Sequence, residues 1–352
     1  MDATQKLAKI QQDLQTAIEL ELSTLPPYLT AYFSIHPGTN VAAANAIRSV
    51  FMEEMLHLCL AGNTLVSIGG QVKLGKDNIP KYPLTLEFKG REFAINLEKF
   101  SKSAIQTFRR IELPDGMPPL ELSLKAQQDL NVDGYSIGEF YHNIIKELVA
   151  LDNEYSKQGK HLFSQDTSSQ ITETYFWRGG GKPIAVTDIS SAKQALNEII
   201  DQGEGAAASL YDGDYDDYDQ HQDLAHYYKF SQVYYGRHYL PDDDPKMPPT
   251  GEPIEVNYQQ VYSMVKNPTH QSYAQNPDLQ SLNHKFNQAY SLMLQQIEQA
   301  FSGNPRVLYN AIMNGMHDLS PIATTMAKIE LDPAKTDGLT GCPSFEWVEP
   351  VE

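Results

Sequence analysis

The sequence predicts an all-α protein built on a four-helix bundle, with a long crossover that holds a short β-hairpin and a helical C-terminal extension. Apolar residues recur at helical spacing in several long segments, which is the main signal for amphipathic helices. Acidic and histidine side chains also fall within these segments. A chain of 352 residues with 41% hydrophobic content can bury such a core. We expect the bundle in residues 1–240 and the extension, packed on it, in residues 241–352.

The second predicted helix, residues 42–68, carries the most informative pair of side chains. Glu54 and His57 are three residues apart and therefore lie on one face of the helix. Apolar neighbours surround them on nearly every side, so we expect both to be buried, where an unpaired carboxylate is costly. Either a metal ion satisfies the pair, or Glu54 simply orients a core histidine. Partners from other helices decide between these interpretations.

The first predicted helix, residues 2–25, supplies one candidate partner. Its apolar residues follow helical spacing, and Glu21 lies near its end, just before an expected kink at residues 26–27. Glu19 could take the place of Glu21, but it lies farther from the kink. In the same way Glu53 could replace Glu54, but no histidine follows it at three residues.

Two further predicted helices, residues 136–155 and residues 190–204, contribute Glu139 and Glu204. Ser136 stands three residues before Glu139, which is a capping-box spacing, so Glu139 could merely hold the start of its helix. Dimetal bundles of the ferritin-like type take one glutamate from each of two helices and a Glu-x-x-His motif from each of the other two. The sequence thus predicts four glutamate ligands and two histidine ligands.

The sixth ligand is not where the pattern expects it. Residues 205–207, which follow Glu204, contain no histidine. Residues 211–223 then hold six aspartates and no lysine or arginine, before an amphipathic pattern resumes at His226. We interpret the acidic stretch as a solvent-side insertion in the last bundle helix, and His226 as the missing ligand.

His142 is the alternative sixth ligand. It lies three residues after Glu139 and completes a second Glu-x-x-His motif. That choice would put both histidine motifs on the second and third helices, whereas two similar helix pairs would place them on the second and fourth.

Glu112 remains open as an additional acid. Tyr28 and Tyr141 either pack with a hydrogen-bonded hydroxyl or line the site.

The segments outside the bundle helices show other sequence patterns. Residues 84–88 and 91–97 alternate around Lys89-Gly90 and predict a short hairpin within the crossover at residues 71–100. Amphipathic helices are expected at residues 282–301 and 307–327.

Several stretches of the chain resemble one known family. The stretches are ELELSTLPPYLTAY at residues 19–32, IRSVFMEEMLHL at 47–58, IGEFY at 137–141, QGEG at 202–205, HYYKF at 226–230 and GCPSFE at 341–346. Together they resemble the ferritin-like domain of iminophenylpyruvate dimer synthases, which are related to the violacein and rebeccamycin pathway proteins. The likeness extends over nearly the whole chain.

The resemblance implies a dimetal centre and a class of substrate. The ligands it implies are Glu21, Glu54, His57, Glu139, Glu204 and His226. The substrate class it implies is an amino-acid-derived imine or a related 2-oxo acid.

Charge and composition limit the partners. A net charge of -18 argues against binding to nucleic acid or to anionic membrane surfaces, because both need basic patches. Neither a secretory leader nor a transmembrane run is evident, and two cysteines are too few for a disulfide framework. We therefore expect a protein of the reducing cytoplasm.

The predicted function is a dinuclear non-haem oxidoreductase. Carboxylate and imidazole ligands suit two iron ions, or manganese, better than metals that prefer thiolates. Such a centre would act with dioxygen or peroxide on a small organic substrate. The alternative is a non-catalytic metal-binding or scaffold protein, in which the centre only stabilises the bundle.

Overall fold

A computed structural model describes residues 1–88, 91–114, 117, 136–176, 180–205, 209–213, 223–311, 317–335 and 337–349. These residues form a predominantly helical protein with one small antiparallel sheet, as the sequence predicts. The elements are α1 (Ala3–Ser34), α2 (Val41–Ser67), β1 (Leu84–Phe88), β2 (Arg91–Ile95), α3 (Lys102–Ile111), α4 (Ile137–Lys157), α5 (Ile189–Glu204), α6 (His226–Tyr235), α7 (Pro277–Phe301), α8 (Val307–Asn310) and α9 (His317–Met326).

The bundle forms around α1 and α2, which pack along each other over most of their length. Helix α4 packs against α1 and α5, and α2 also contacts α5 and α6. Apolar side chains from all of these helices meet in one core, where Leu14, Leu56, Leu148, Leu196 and Phe230 are almost fully buried. Each such side chain stabilises the fold by about 1.5–3 kcal/mol relative to exposure.

Helix α1 continues through the two prolines and ends only at Ser34, beyond the predicted end at residue 25. Pro27 has no N–H to donate to the carbonyl of Ser23, four residues earlier. The hydroxyl of Tyr82, from the crossover, donates to that carbonyl instead at 2.7 Å. A hydrogen bond from a distant segment therefore replaces the one that the proline removes, and the helix persists.

The crossover contains the predicted hairpin. Strands β1 and β2 pair antiparallel, with Leu84 opposite Ile95 and Phe88 opposite Arg91. This pairing confirms the sequence-based prediction and gives β2 an end at Ile95, two residues before the predicted one.

Helix α3 was not predicted. Its start is capped by Ser101, whose hydroxyl accepts from the N–H of Ala104 at 3.0 Å. Ala104, Ile105 and Phe108 are buried, which is the spacing of an apolar helix face. The helix packs against α6 and has Glu112 as its C-cap residue. An N-cap serine followed by this spacing is a signal that sequence reasoning could have used.

The acidic stretch lies between the end of α5 at Glu204 and the start of α6 at His226. Its two ends are held together, because Tyr211 and Leu224 form an antiparallel bridge and the N–H of Asp212 donates to the carbonyl of Asp223 at 3.1 Å. Residues 214–222 lie outside the described residues. The closed base is the geometry expected of an insertion between two helix segments.

We expect replacement of residues 214–222 by a short glycine-serine linker to leave helicity and metal content unchanged. The bridge at Tyr211 and Leu224 already fixes the two ends, and surface excursions tolerate such changes. Circular dichroism and elemental analysis of purified protein test this. Loss of metal with unchanged helicity would instead make the aspartates ligands and would argue against His226.

The C-terminal helices pack on the bundle through α7, which contacts α2, and through α9, which contacts α1. Gly62 on α2 makes room for Phe301, because a Cβ at position 62 would lie 2.7 Å from Cε1 of that ring. The predicted helix at residues 307–327 is described as two pieces, α8 and α9, and residues 312–316 between them lie outside the described part. No described helix is both long enough and apolar enough to cross a membrane.

Candidate metal centre

Helices α1 and α2 place three predicted ligands side by side. The Nδ1 atom of His57 lies 3.5 Å from Oε2 of Glu21 and 4.0 Å from Oε1 of Glu54. All three side chains are buried. The alternative Glu19 accepts hydrogen bonds from Gln15 at 2.9 Å and Asn78 at 2.7 Å, so Glu21 is the acid of α1 that faces His57.

His226 completes the cluster from α6. Its Nδ1 atom lies 3.0 Å from Oε1 of Glu54 and 3.4 Å from Oε2 of Glu112. The imidazole is fully buried and stacks on that of His57, with ring centroids 5.2 Å apart. His142, the alternative, is exposed on α4. The structure therefore brings His226 to the other candidate ligands.

Two tyrosine hydroxyls orient two of the carboxylates. Tyr141 donates to Oε1 of Glu21, and Tyr28 donates to Oε1 of Glu112. Burial and the negative charge of the acid that each contacts raise the pKa of both hydroxyls well above the usual value, so they stay protonated donors. Each carboxylate therefore turns its other oxygen, Oε2, toward a histidine.

Glu54 and Glu204 are held in the same way. Thr24 donates to Oε2 of Glu54 at 2.8 Å, which leaves Oε1 directed at the two histidines. The N–H of Gly138, in the first turn of α4, donates to Oε1 of Glu204 at 2.9 Å. The start of α4 thus positions the last acid of α5.

The free donor atoms converge on one small space. Glu54, His57 and His226 each present one ligand atom, and these atoms lie within 4.8 Å of one another. The adjoining cavity has a volume of about 20 Å³, room for one water-sized species. Its lining consists of Glu21, Glu54, His57, Ile111, Glu112, Ile137, Gly138, Ile199, Ile200, Gly203 and Glu204.

The cluster is built to hold positive charge. Burial and the charge of Glu112 raise the pKa of Glu54 well above its usual range. Burial lowers the pKa of His226, but the close carboxylates of Glu112, Glu53 and Glu54 outweigh that effect and raise it. Buried acids that repel one another are stabilised either by protons or by a cation.

The nitrogen atom Nδ1 of His226 shows that this chain's side chains fit a metal ion. It is buried and has no hydrogen-bond partner of acceptable geometry within the described residues, although two carboxylate oxygens lie close to it. An orphaned buried nitrogen is uncommon in folded proteins. A cation between His226, Glu54 and Glu112 would satisfy all of these atoms at once.

The structure places Glu139 differently from the other predicted ligands. It is half-buried in the first turn of α4, where its N–H donates to the Ser136 hydroxyl at 3.0 Å, and it is absent from the cavity lining. Glu112, which the sequence left open, occupies the cavity instead. No histidine follows Glu112 at the three-residue spacing of a Glu-x-x-His motif. Its position at the end of a helix with an apolar face was the one sequence signal that could have indicated it.

Glu53, the alternative to Glu54, faces away from the cavity into an ion pair. Its two carboxylate oxygens lie 2.7 and 2.8 Å from Nζ of Lys229, which also pairs with Asp223 at 2.7 Å. Burial raises the pKa of Glu53, but the charge of Lys229 and the hydrogen bond from His226 outweigh it and lower that pKa. Glu53 is therefore ionised.

Comparison with known proteins agrees with this architecture. A family model described as Ferritin-like matches residues 14–235. A crystal structure of a ferritin-like protein from Caulobacter vibrioides superposes with a TM-score of 0.60 at 21% identity, covering 90% of this chain and 94% of that one. At this identity the likeness establishes the fold alone.

Two curated relatives are enzymes by name. Dichlorochromopyrrolate synthase of Lentzea aerocolonigenes is 24% identical over 88% of this chain and 30% of its own length. The 2-imino-3-(indol-3-yl)propanoate dimerase of Chromobacterium violaceum is 26% identical over 57% of this chain and 21% of its own length. The chain thus spans less than a third of each relative.

Proposed function

Because the chain belongs to the ferritin-like family, we propose that it is a dinuclear iron or manganese oxidoreductase that acts with dioxygen or peroxide on a small organic substrate. The observation that carries this proposal is the convergence of three carboxylates and two imidazole Nδ1 atoms in one buried cluster. Oxygen and imidazole donors suit these metals.

The proposed ligand set follows the contacts. Five of the six sequence-predicted ligands, Glu21, Glu54, His57, Glu204 and His226, lie at the cluster or the cavity beside it. Glu112 is proposed as the sixth ligand because its Oε2 approaches His226 at 3.4 Å. Glu139 remains a sequence-based prediction; it lies in the first turn of α4 and outside the lining of the cavity.

The protein's part in the reaction is to fix the ligands and to keep the site dry. A bound dimetal centre would supply the redox chemistry and Lewis acidity. Hydroxyl donors Tyr28, Tyr141 and Thr24 hold three carboxylates so that their free oxygens need not reorganise. Ile111, Ile137, Ile199 and Ile200 line the cavity and give it apolar walls.

The names of the relatives suggest the substrate class. One of them is named for dimerising a 2-imino-3-(indol-3-yl)propanoate, which is the imine of an amino acid. We extend only this class, an amino-acid-derived imine or the related 2-oxo acid, to the present chain, because it covers less than a third of that protein.

The size of the cavity favours a second candidate function, that of a metal-binding scaffold. A volume of about 20 Å³ admits an ion or a diatomic molecule but not an organic substrate. The two functions differ in oxygen reactivity. Anaerobic loading with Fe²⁺ followed by exposure to dioxygen should produce rapid oxygen uptake and a new visible absorption for the oxidoreductase, and neither for a closed structural site.

We expect two metal ions per chain after growth in iron-supplemented medium. Elemental analysis measures this, and the variant Glu112→Gln should reduce the content because it removes a charged ligand from the cluster. Glu139→Gln is the matched comparison and should retain both ions. Loss of metal from the Glu139 variant alone would restore the sequence-based assignment, and a content near zero in the unaltered protein would overturn the dimetal proposal.

A further inference from the structure

The outer nitrogen of His226 is bonded to a carboxylate that cannot donate. Nε2 of His226 lies 2.7 Å from Oε2 of Glu53. Both oxygens of Glu53 also accept from Lys229, which keeps the acid ionised and acceptor-only. Nε2 must therefore carry the hydrogen. In the neutral ring Nδ1, which faces Glu54 and Glu112, is then the bare nitrogen that binds a metal.

The outer nitrogen of His57 is bonded to a neutral amide. Nε2 of His57 lies 2.9 Å from Oε1 of Gln202. The orientation of that amide is fixed from its other end, because its Nε2 donates to the carbonyl of Gly180 at 2.8 Å and to Glu198 at 3.2 Å. Its oxygen must therefore face His57, and Nδ1 of His57 is again left bare on the cavity side.

One turn supports both of these contacts. Gly180 has φ of 71°, a left-handed conformation that favours glycine. A Cβ at this position would lie 2.6 Å from the Cα of Glu53, so the turn packs directly on the residue behind His226. The carbonyl of the same glycine holds the amide of Gln202.

We propose that Glu53 and Gln202 are positioning residues that fix both histidines as Nδ1 ligands and make the two metal positions unequal, with the His226 position binding more tightly. A carboxylate that accepts the imidazole N–H raises the basicity of the other ring nitrogen. A neutral amide accepts a weaker hydrogen bond, so it raises the basicity of the other ring nitrogen less. This inference rests on the proposed dimetal function.

The principal test titrates metal-stripped protein with Mn²⁺ by calorimetry. The unaltered protein should bind two ions in two steps of different affinity. The double variant Glu53→Gln/Lys229→Met keeps an acceptor behind His226 but removes the charged pair. It should weaken the tighter step by about 10–100-fold, the usual effect of changing such a partner, and leave the weaker step unchanged.

The matched control removes an equivalent pair elsewhere. Lys6 and Glu154 form a half-exposed ion pair at 2.7 Å, and Lys6 lies about 22 Å along α1 from Glu21 at 1.5 Å per residue. Lys6→Met/Glu154→Gln makes the same change in composition and should leave both binding steps as they are. An equal effect of the control would assign the change to the loss of any ion pair, wherever it lies, and would overturn the proposal.

A second variant tests the amide in the opposite direction. Gln202→Glu/Glu198→Gln exchanges an amide and a carboxylate between neighbouring turns of α5 and keeps the net charge. His57 then donates to a carboxylate, and the weaker step should strengthen by about tenfold. A residue that only supports the fold would not produce a gain of affinity, so this result separates positioning from simple packing.

The outcomes distinguish this inference from the proposed function. Failure of the unaltered protein to bind Mn²⁺ would overturn the dimetal function itself. Two ions bound with equal affinity in the unaltered protein would leave that function standing and overturn the inequality, without any variant. Circular dichroism identifies a variant that does not fold, in which case the other variant and the unaltered protein decide.

Discussion

Replacing His226 with alanine is expected to remove one of the two metal ions and to weaken the bundle. The imidazole is fully buried, and its Nδ1 is the nitrogen closest to Glu54 and Glu112. Its loss leaves one metal position without a nitrogen ligand, and the buried acids then repel one another with less bound positive charge between them. Elemental analysis should fall from two ions toward one, and denaturant unfolding should show reduced stability.

The comparison variant is His142→Ala. His142 is exposed on α4, and an exposed substitution usually changes stability by less than about 0.5 kcal/mol. We expect this variant to keep both metal ions. The opposite pattern, with metal lost from the His142 variant and kept in the His226 variant, would place the histidine ligands on the second and third bundle helices.

The largest loss of stability is expected for Lys229→Met, at about 3–5 kcal/mol. Lys229 and Glu53 are both buried and form a close ion pair. Removing the lysine leaves an ionised carboxylate in the core with too few donors, which is the costly way to break a buried pair. Urea unfolding followed by circular dichroism measures the change in free energy of unfolding.

Two controls accompany this prediction. Glu53→Gln/Lys229→Met removes the stranded charge and should regain much of the lost stability. Lys9→Met breaks exposed pairs with Asp13 and Glu147 and should cost less than about 1 kcal/mol. Equal losses in the Lys229 and Lys9 variants would contradict the role assigned to burial.

The bundle and most of its cluster were predictable from the sequence for a specific reason. A long apolar run marks α2 as a buried helix. The three-residue spacing of Glu54 and His57 places both on one face of it. His226 could be inferred because an amphipathic helical pattern resumes there, after the acidic stretch that follows Glu204. These inferences needed only local patterns and the requirement that buried acids find partners.

The remaining features depend on contacts between distant segments. The persistence of α1 beyond Pro27 requires a hydroxyl from Tyr82, 59 residues away from Ser23. Glu112 reaches the cluster because α3 packs against α6. No sequence spacing indicates a role for Gln202, because that role depends on the contact between its amide oxygen and Nε2 of His57. Pattern alone does not encode such pairings.

The turn at Gly180 has a consequence for how this family can diverge. Because that glycine packs on Glu53 and fixes the amide of Gln202, the three positions form an epistatic set although they are far apart in the sequence. A bulkier residue at 180 displaces the supports of both histidines together. We therefore expect these three positions to change together in related chains. Covariation among them would indicate that the difference in affinity between the two proposed metal positions is conserved.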